Sequence, residues 1–130
     1  MSTLYCGKFT YEVTPEVQKV LEGVMYWTHC EKLDSQELQG AEKHIRKCEK
    51  EGKTPKYTEE EINNLRHDVE EARTTLRDLM QKMDQLDVPN WVGNGAMHWA
   101  ETHDLRNHYL SDFFDKSKYA KPVEKELTER

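Results

Sequence analysis

The chain has little of what builds a membrane protein or a disulfide framework. Only 35% of its 130 residues are hydrophobic, and no apolar run approaches the roughly 20 residues of a membrane span. Its N-terminus lacks the basic stretch and apolar run of a signal peptide. The three cysteines, Cys6, Cys30 and Cys48, form no CxxC pair, which argues against disulfides and a cysteine-based zinc site. We therefore expect a cytoplasmic protein with no membrane partner, in which each cysteine acts as a small apolar side chain.

Charged residues, in contrast, make up 34% of the sequence. The 19 Lys and Arg residues are interspersed with 25 Asp and Glu residues, and the formal net charge is -6. A protein that binds the nucleic-acid backbone concentrates Lys and Arg on one face, so this acidic, mixed composition argues against a nucleic-acid partner. A chain with so few apolar residues must have a small core or an elongated shape.

Aromatic residues are nearly absent from the middle of the chain. Of 3 Trp, 6 Tyr and 3 Phe residues, only Tyr57 lies within residues 35–87. This distribution predicts that the N-terminal third and residues 90–119 meet in a compact aromatic core. We expect one helical domain over residues 1–119, with residues 120–130 as a flexible charged tail.

Two elements are predicted before residue 35. Apolar residues alternate on both sides of Gly7 and Lys8, which predicts a short β-hairpin with a type II′ turn. A helix over residues 15–32 follows, because Thr14 can cap its N-terminus and Pro15 suits the first helical position.

Residues 35–87 predict a helical hairpin. Asp34 or Ser35 can cap its first helix, and Gly52 ends it. Thr58 and Glu61 form the capping box of the second helix. Apolar residues then recur at steps of three and four, at Ile62, Leu65, Val69, Ala72, Leu76, Leu79, Met83 and Leu86. This narrow heptad pattern predicts a mainly α fold, with a coiled-coil-like antiparallel hairpin projecting from a small helical body. Because the first helix is shorter, the segment from Leu76 to Leu86 must pack on that body.

The segment NWVGNGAMHWAETHDLRNH, residues 90–108, holds two tryptophans and three histidines. Gly93 and Gly95 predict a sharp chain reversal after the long helix. A last helix is then expected from about Gly95 to Asp115.

Four side chains of this segment form the candidate site for a ligand or a partner: Trp91, Trp99, His103 and Arg106. Both tryptophans should belong chiefly to the aromatic core. His103 and Arg106 share the apolar face of the predicted helix with Trp99. They are either structurally paired polar groups or the polar lining of a pocket between the first and last helices.

A metal site is a second interpretation of the same segment. Asp104 and His108 lie four residues apart, a spacing at which two side chains of a helix can chelate one ion. Glu101 and Asp112 lie along the same stripe, but no ligand from another element is identifiable, so we predict neither a metal nor a cofactor. The His-Asp dipeptides at His67 and His103 resemble the short motif of metal-dependent phosphohydrolases only weakly, since His67 falls at an outward heptad position.

These features together favour a non-enzymatic protein–protein interaction module, a small regulator or inhibitor of a partner macromolecule, such as a virus-encoded inhibitor. The heptad pattern and surplus aromatics also predict a homodimer. The alternative is a small all-helical metal-dependent hydrolase, or a nucleotide- or ligand-binding protein, that uses residues 98–112. No nucleophile motif or phosphate-binding loop is present to favour catalysis.

Overall fold

The computed structural model describes residues 3–6, 8–105 and 110–116. Its elements in chain order are β1 (Thr3–Cys6), β2 (Phe9–Glu12), α1 (Pro15–Glu51), α2 (Glu59–Gln85), α3 (Asn90–Thr102) and α4 (Asp112–Lys116). The fold is mainly helical with a short N-terminal β-hairpin, which confirms the predicted class.

The β-hairpin joins β1 and β2 in antiparallel register, with Leu4 opposite Tyr11 and Cys6 opposite Phe9. Leu4 and Val13, just after β2, are almost fully buried, while Cys6 and Phe9 near the turn are exposed. A two-stranded hairpin is too small to be stable alone, so these buried side chains attach it to the helices. Gly7 lies outside the described residues, and the turn type stays a prediction.

Helix α1 corrects the predicted break near residue 33. Its start at Pro15, with the Thr14 hydroxyl accepting from the Val17 amide at 3.3 Å, agrees with the prediction, as does its end at Gly52. Between these ends the helix is continuous for 37 residues, about 55 Å. The hydroxyl of Ser35 donates to the Glu31 carboxylate at 2.8 Å, one turn back, so it does not cap a new helix.

Helix α2 begins with the predicted capping box. The Glu61 amide donates to the Thr58 hydroxyl at 3.1 Å, and the Thr58 amide donates to the Glu61 carboxylate at 3.4 Å. These bonds satisfy amides that have no partner within the helix. The helix ends at Gln85, before Asp87 adopts a left-handed φ of 56° and Pro89 follows.

Helices α1 and α2 pack against each other as an antiparallel hairpin. A salt bridge of 3.9 Å joins Glu42 to Arg66 near the loop, and one of 3.3 Å joins Glu31 to Arg73 farther from it. Between the helices lie the buried side chains of Ala41, Cys48, Ile62, Val69 and Ala72. Because α1 is continuous, it also covers the second half of α2, where a Cβ on Gly23 would lie 3.3 Å from Leu79. The prediction that the second half of α2 extends beyond the end of its partner helix is therefore wrong.

The main core forms where the first half of α1, the end of α2, α3, α4 and the β-hairpin meet. Its cluster of buried residues is Leu4, Val13, Val17, Val20, Leu21, Val24, Met25, Met83, Val88, Val92, Ala96, Trp99, Ala100, Phe113 and Phe114. Leu76, Leu79, Met80 and Leu86 pack against it, as predicted for the end of the long helix. Most of the cluster is aliphatic, and Phe9 and Tyr26 are 61% and 50% exposed, so the predicted aromatic core is only partly correct.

Helix α3 corrects the predicted chain reversal at the glycines. It starts at Asn90, directly after Pro89, and passes through Gly93 and Gly95, both of which are buried. The helix ends at Thr102, and His103 has extended backbone with φ -115° and ψ 141°. The reversal is made instead by the residues before Asn90, and the lack of a side chain at Gly93 allows α3 to pack closely on Met83 of α2.

Candidate functional site

The site region lies where α3 ends against the middle of α1. The ammonium group of Lys32 donates to the backbone carbonyl of Glu101 at 2.7 Å. The last carbonyls of a helix lack intrahelical partners and carry the negative end of the helix dipole, so a cation there is favourable. Lys32 therefore fixes the end of α3 beside α1.

His103 terminates α3 and is held by its last turn. Its ring stacks on Trp99, with centroids 4.5 Å apart and an interplanar angle of 18°. Its Nδ1 lies 2.9 Å from the carbonyl oxygen of Trp99. A carbonyl oxygen can only accept a hydrogen bond, so Nδ1 is the donor in this contact. The Thr102 hydroxyl also donates a hydrogen bond to the backbone carbonyl of His98, one turn earlier, at 3.0 Å.

Two adjacent clefts open along this junction. The first, which we call the histidine cleft, has a volume of about 280 Å³ and is lined by His29, Lys32, Leu33, Gln36, Thr102, His103 and Asp104. It brings the imidazole of His29 on α1 and that of His103, directly after α3, to one surface with an ammonium group and a carboxylate. This volume is near the lower end of the range for ligand pockets, about 300–1,000 Å³.

The second, which we call the threonine cleft, has a volume of about 340 Å³. It is lined by Thr28, Glu31, Lys32, Ser35, Gln36 and Glu101, and shares Lys32 and Gln36 with the histidine cleft. Thr28 is its only buried lining residue, at 4% exposure. The Oγ1 atom of Thr28 is buried without a hydrogen-bond partner. A buried polar group without a hydrogen bond lowers the stability of the fold by about 1–3 kcal/mol, so most such groups in proteins have a partner.

The structure describes three of the four predicted site residues: Trp91, Trp99 and His103. Trp99 is buried in the core at 4% exposure and packs edge-to-face on Phe113, while Trp91 is half-buried against the same core. His103 lines the histidine cleft. Arg106 lies outside the described residues, and its predicted role stays untested.

The predicted metal pair, Asp104 and His108, lies only partly within the described residues and stays a prediction. Asp104 follows the end of α3 and His108 lies outside the described residues. Within the described parts of the chain, no group of three or more His, Cys, Asp or Glu side chains could hold a metal ion.

An apolar stripe crosses the surface of α1. It consists of Tyr26, Cys30 and Leu33, at the i, i+4 and i+7 positions of one helix face. Tyr26 and Leu33 are 50% and 38% exposed. A hydrogen bond to Cys30 raises the pKa of the Tyr26 hydroxyl, and burial raises the pKa of the Cys30 thiol. A raised pKa leaves less of the Cys30 thiol in the nucleophilic thiolate form at neutral pH.

Sequence reasoning missed Thr28, His29 and Lys32 as site residues. All three lie on the part of α1 that faces the end of α3. Nothing in their local sequence distinguishes them from ordinary helical surface residues. Their grouping arises because α3 docks beside residues that precede it by about 70 positions.

No helix in the described ranges is long and apolar enough to cross a membrane. Comparisons with family models, with curated proteins and with solved structures found no match to this chain.

Proposed function

We propose that this protein is a non-enzymatic protein–protein interaction module of the cytoplasm, which regulates or inhibits a partner macromolecule. The observation that carries this proposal is the apolar stripe of Tyr26, Cys30 and Leu33. Isolated exposed apolar residues are common, but here two large ones lie two turns apart on the same helix face. Aromatic side chains on such surfaces are enriched among the residues that dominate binding energy.

The proposal includes a projecting, coiled-coil-like arm. Residues 35–51 of α1 and 59–75 of α2 contribute nothing to the main core cluster. Their buried side chains, such as Ala41 and Val69, fill only the interface between the two helices. An arm of two helices exposes most of its surface, which gives a partner a long and highly charged face to bind.

A second copy of the chain is one partner that the stripe can accommodate. In an isologous dimer the same patch is used by both copies, so the stripes of the two protomers would contact each other. We therefore propose a homodimer as one assembly of the protein.

Site-specific photocrosslinking tests the interaction role. A photoreactive phenylalanine at Leu33 should capture a discrete partner, while the same group at Gln81, an exposed position of α2 outside both the arm and the stripe, should not. The captured protein, once purified, should bind wild type and Gln81→Asp equally and should bind Leu33→Asp at least about tenfold more weakly, as expected for loss of a buried apolar contact. Equal capture at both positions, or equal binding by both variants, would overturn the proposal.

Ligand binding at the histidine cleft is the second candidate function. It is favoured by the convergence of His29 on α1 and His103, directly after α3, on one polar cleft. Thermal shift measurements with divalent ions and nucleotides test this alternative. A saturable shift that His29→Ala removes, while wild-type stability is otherwise retained, would favour ligand binding over the interaction role.

A further inference from the structure

One face of α1 continues from the apolar stripe toward the tip of the arm. Exposed residues recur on it at seven-residue steps, nearly two helical turns, with two more beside the last of them. This surface, which we call the outer face of α1, consists of Tyr26, Leu33, Gly40, Lys43, Lys47 and Lys50. It extends over about 36 Å of the helix. Ala41 and Cys48, which are buried against α2, lie on a different side of α1, so the outer face is open to solvent.

The two halves of the outer face differ in chemistry. The half nearer the core holds the two large exposed apolar side chains of the stripe, Tyr26 and Leu33. The half nearer the tip holds three lysines, none of which forms a salt bridge with any residue that the structure describes. The intervening positions of the same face hold His29 and Gln36 and no carboxylate, although the whole chain has a net charge of -6. The outer face is therefore apolar at one end and positively charged at the other.

The lysines favour an occupant that carries negative charge. Like charges three or four residues apart on a helix repel one another and destabilise it. Carboxylates facing Lys43, Lys47 and Lys50 would remove this repulsion and would steer a partner into place. Between the two halves, a Cβ atom on Gly40 would meet nothing within 4 Å, so a side chain of the partner has room at the centre of the face.

The shape of the outer face selects among anionic partners. A nucleic acid is bound chiefly through its phosphates, so it would leave the apolar half uncovered and would be repelled by the net negative charge of the chain. An α-helix, in contrast, presents its side chains at the same spacing and packs on another helix along one such face. If it lies antiparallel to α1, its N-terminal half faces the lysines, and carboxylates there are also favoured by its own helix dipole.

We propose that the outer face of α1 binds an amphipathic helix of a partner protein, with apolar side chains against Tyr26 and Leu33 and carboxylates against Lys43, Lys47 and Lys50. This inference rests on the proposed interaction role and names the chemistry of the partner. The apolar half supplies most of the affinity, because exposed ion pairs contribute little each. The lysines select the charge of the partner and the direction in which it lies.

Two synthetic helical peptides test the proposal. The first carries leucines on one face of its C-terminal half and glutamates on the same face of its N-terminal half, and in the second glutamines replace the glutamates. At low salt the full chain should bind the glutamate peptide at least about tenfold more tightly, and the difference should shrink as added salt screens the charges. Calorimetric titration measures both affinities, at concentrations where light scattering gives the mass of one chain. Equal affinities, or no binding of either peptide, would overturn the proposal.

Charge reversal locates the lysines. The double variant Lys43→Glu, Lys47→Glu should bind the glutamate peptide at least about fivefold more weakly and should bind the glutamine peptide like wild type. The matched control Arg77→Glu, Lys82→Glu makes the same change of net charge at exposed positions of α2 and should retain the affinity of wild type for both peptides. An equal loss in the two double variants would show that only net charge matters, and would contradict the assignment.

Failure of this inference can be separated from failure of the interaction role. Leu33→Asp should weaken the binding of both peptides, because both use the apolar half. If crosslinking at Leu33 captures a partner that binds Lys43→Glu, Lys47→Glu like wild type, the interaction role stands and the acidic helix is wrong. Tighter binding of a DNA duplex than of the glutamate peptide would assign the face to nucleic acid. A wild-type dimer that the lysine variant converts to single chains would assign it to a second copy, and either result would overturn the proposal.

Discussion

Gly93 of α3 lies directly against Met83 near the end of α2: a Cβ atom on Gly93 would lie 2.9 Å from the terminal Cε of Met83 and 3.4 Å from its sulfur. Both residues are buried, and Met83 belongs to the main core cluster. The absence of a side chain at residue 93 thus sets how closely the two helices approach.

Enlarging residue 93 should destabilise the fold. Gly93→Val forces Met83 and its neighbours to move in a packed core, which typically costs about 1–3 kcal/mol. Chemical denaturation in urea measures the change. The matched control is Gly40→Ala in the middle of α1, where a Cβ would meet nothing within 4 Å. That variant should gain about 1 kcal/mol from helix propensity, and a Gly93→Val protein as stable as Gly40→Ala would contradict the packing described.

Truncations in the core and in the arm should differ in cost. Leu21 is fully buried in the core cluster, so Leu21→Ala should lose about 2–5 kcal/mol of unfolding free energy. Val69 is buried only between α1 and α2, outside that cluster, and Val69→Ala should lose about 1–2 kcal/mol for two methyl groups. Thermal or urea unfolding compares them, and equal losses would count against a projecting arm.

Trp99 should be the more critical of the two tryptophans in α3. It is 4% exposed, packs edge-to-face on Phe113 and supports the stacked ring of His103. Trp99→Ala should therefore cost about 3–5 kcal/mol. Trp91 is half-buried, so Trp91→Ala should cost clearly less. Calorimetric melting of both variants would decide the order, and the reverse order would refute this packing.

The carboxyl group of Asp34 in α1 should make the folded protein less stable at neutral pH than in mild acid. Burial raises the pKa of its carboxyl above the ordinary value, and the nearby charges of Asp68, Glu37, Glu31 and Glu71 raise it further. Folding thus favours the protonated form. The stability that this group contributes is fully present below its unfolded pKa, about 4, and is lost as the pH rises through the higher folded pKa.

Asp34→Asn keeps the shape of the side chain and removes this charge. Its melting temperature should exceed that of wild type at pH 7, and the difference should shrink as the pH falls toward 4. Asp78→Asn, at an exposed position of α2, is the matched control and should show a smaller difference. A wild type that melts higher than Asp34→Asn at pH 7 would show that the charge is stabilising.

Self-association through the apolar stripe should be visible in solution. Light scattering of the 15.4 kDa chain at high micromolar concentration should give the mass of a dimer. Leu33→Asp should shift the mass toward that of one chain, because a charge cannot be buried unpaired in the interface. A wild-type mass equal to that of one chain would contradict the homodimer. A dimer that persists in Leu33→Asp would show that its interface does not include the apolar stripe.

The sequence determined where α1 begins and ends and where α2 begins. Thr14 and Pro15 start α1, Gly52 ends it with a φ of 69°, and Thr58 with Glu61 starts α2. Each signal is a hydrogen bond or a backbone preference among residues a few positions apart, so it can be predicted without any knowledge of the fold. The heptad residues of α2 similarly predicted which face would be buried.

The tertiary structure decided the choices for which the local signals were ambiguous. Ser35 can cap a helix or bond to Glu31 within one, and the second occurs because α1 remains paired with α2 through this region, as the Glu31–Arg73 salt bridge shows. Gly93 can form a turn or allow close packing in a helix, and the position of Met83 requires the second. The clefts depend on contacts between residues about 70 positions apart, such as Lys32 with Glu101. Local propensity contains no information about which distant side chains meet, because that is set by how the buried faces of the helices pack.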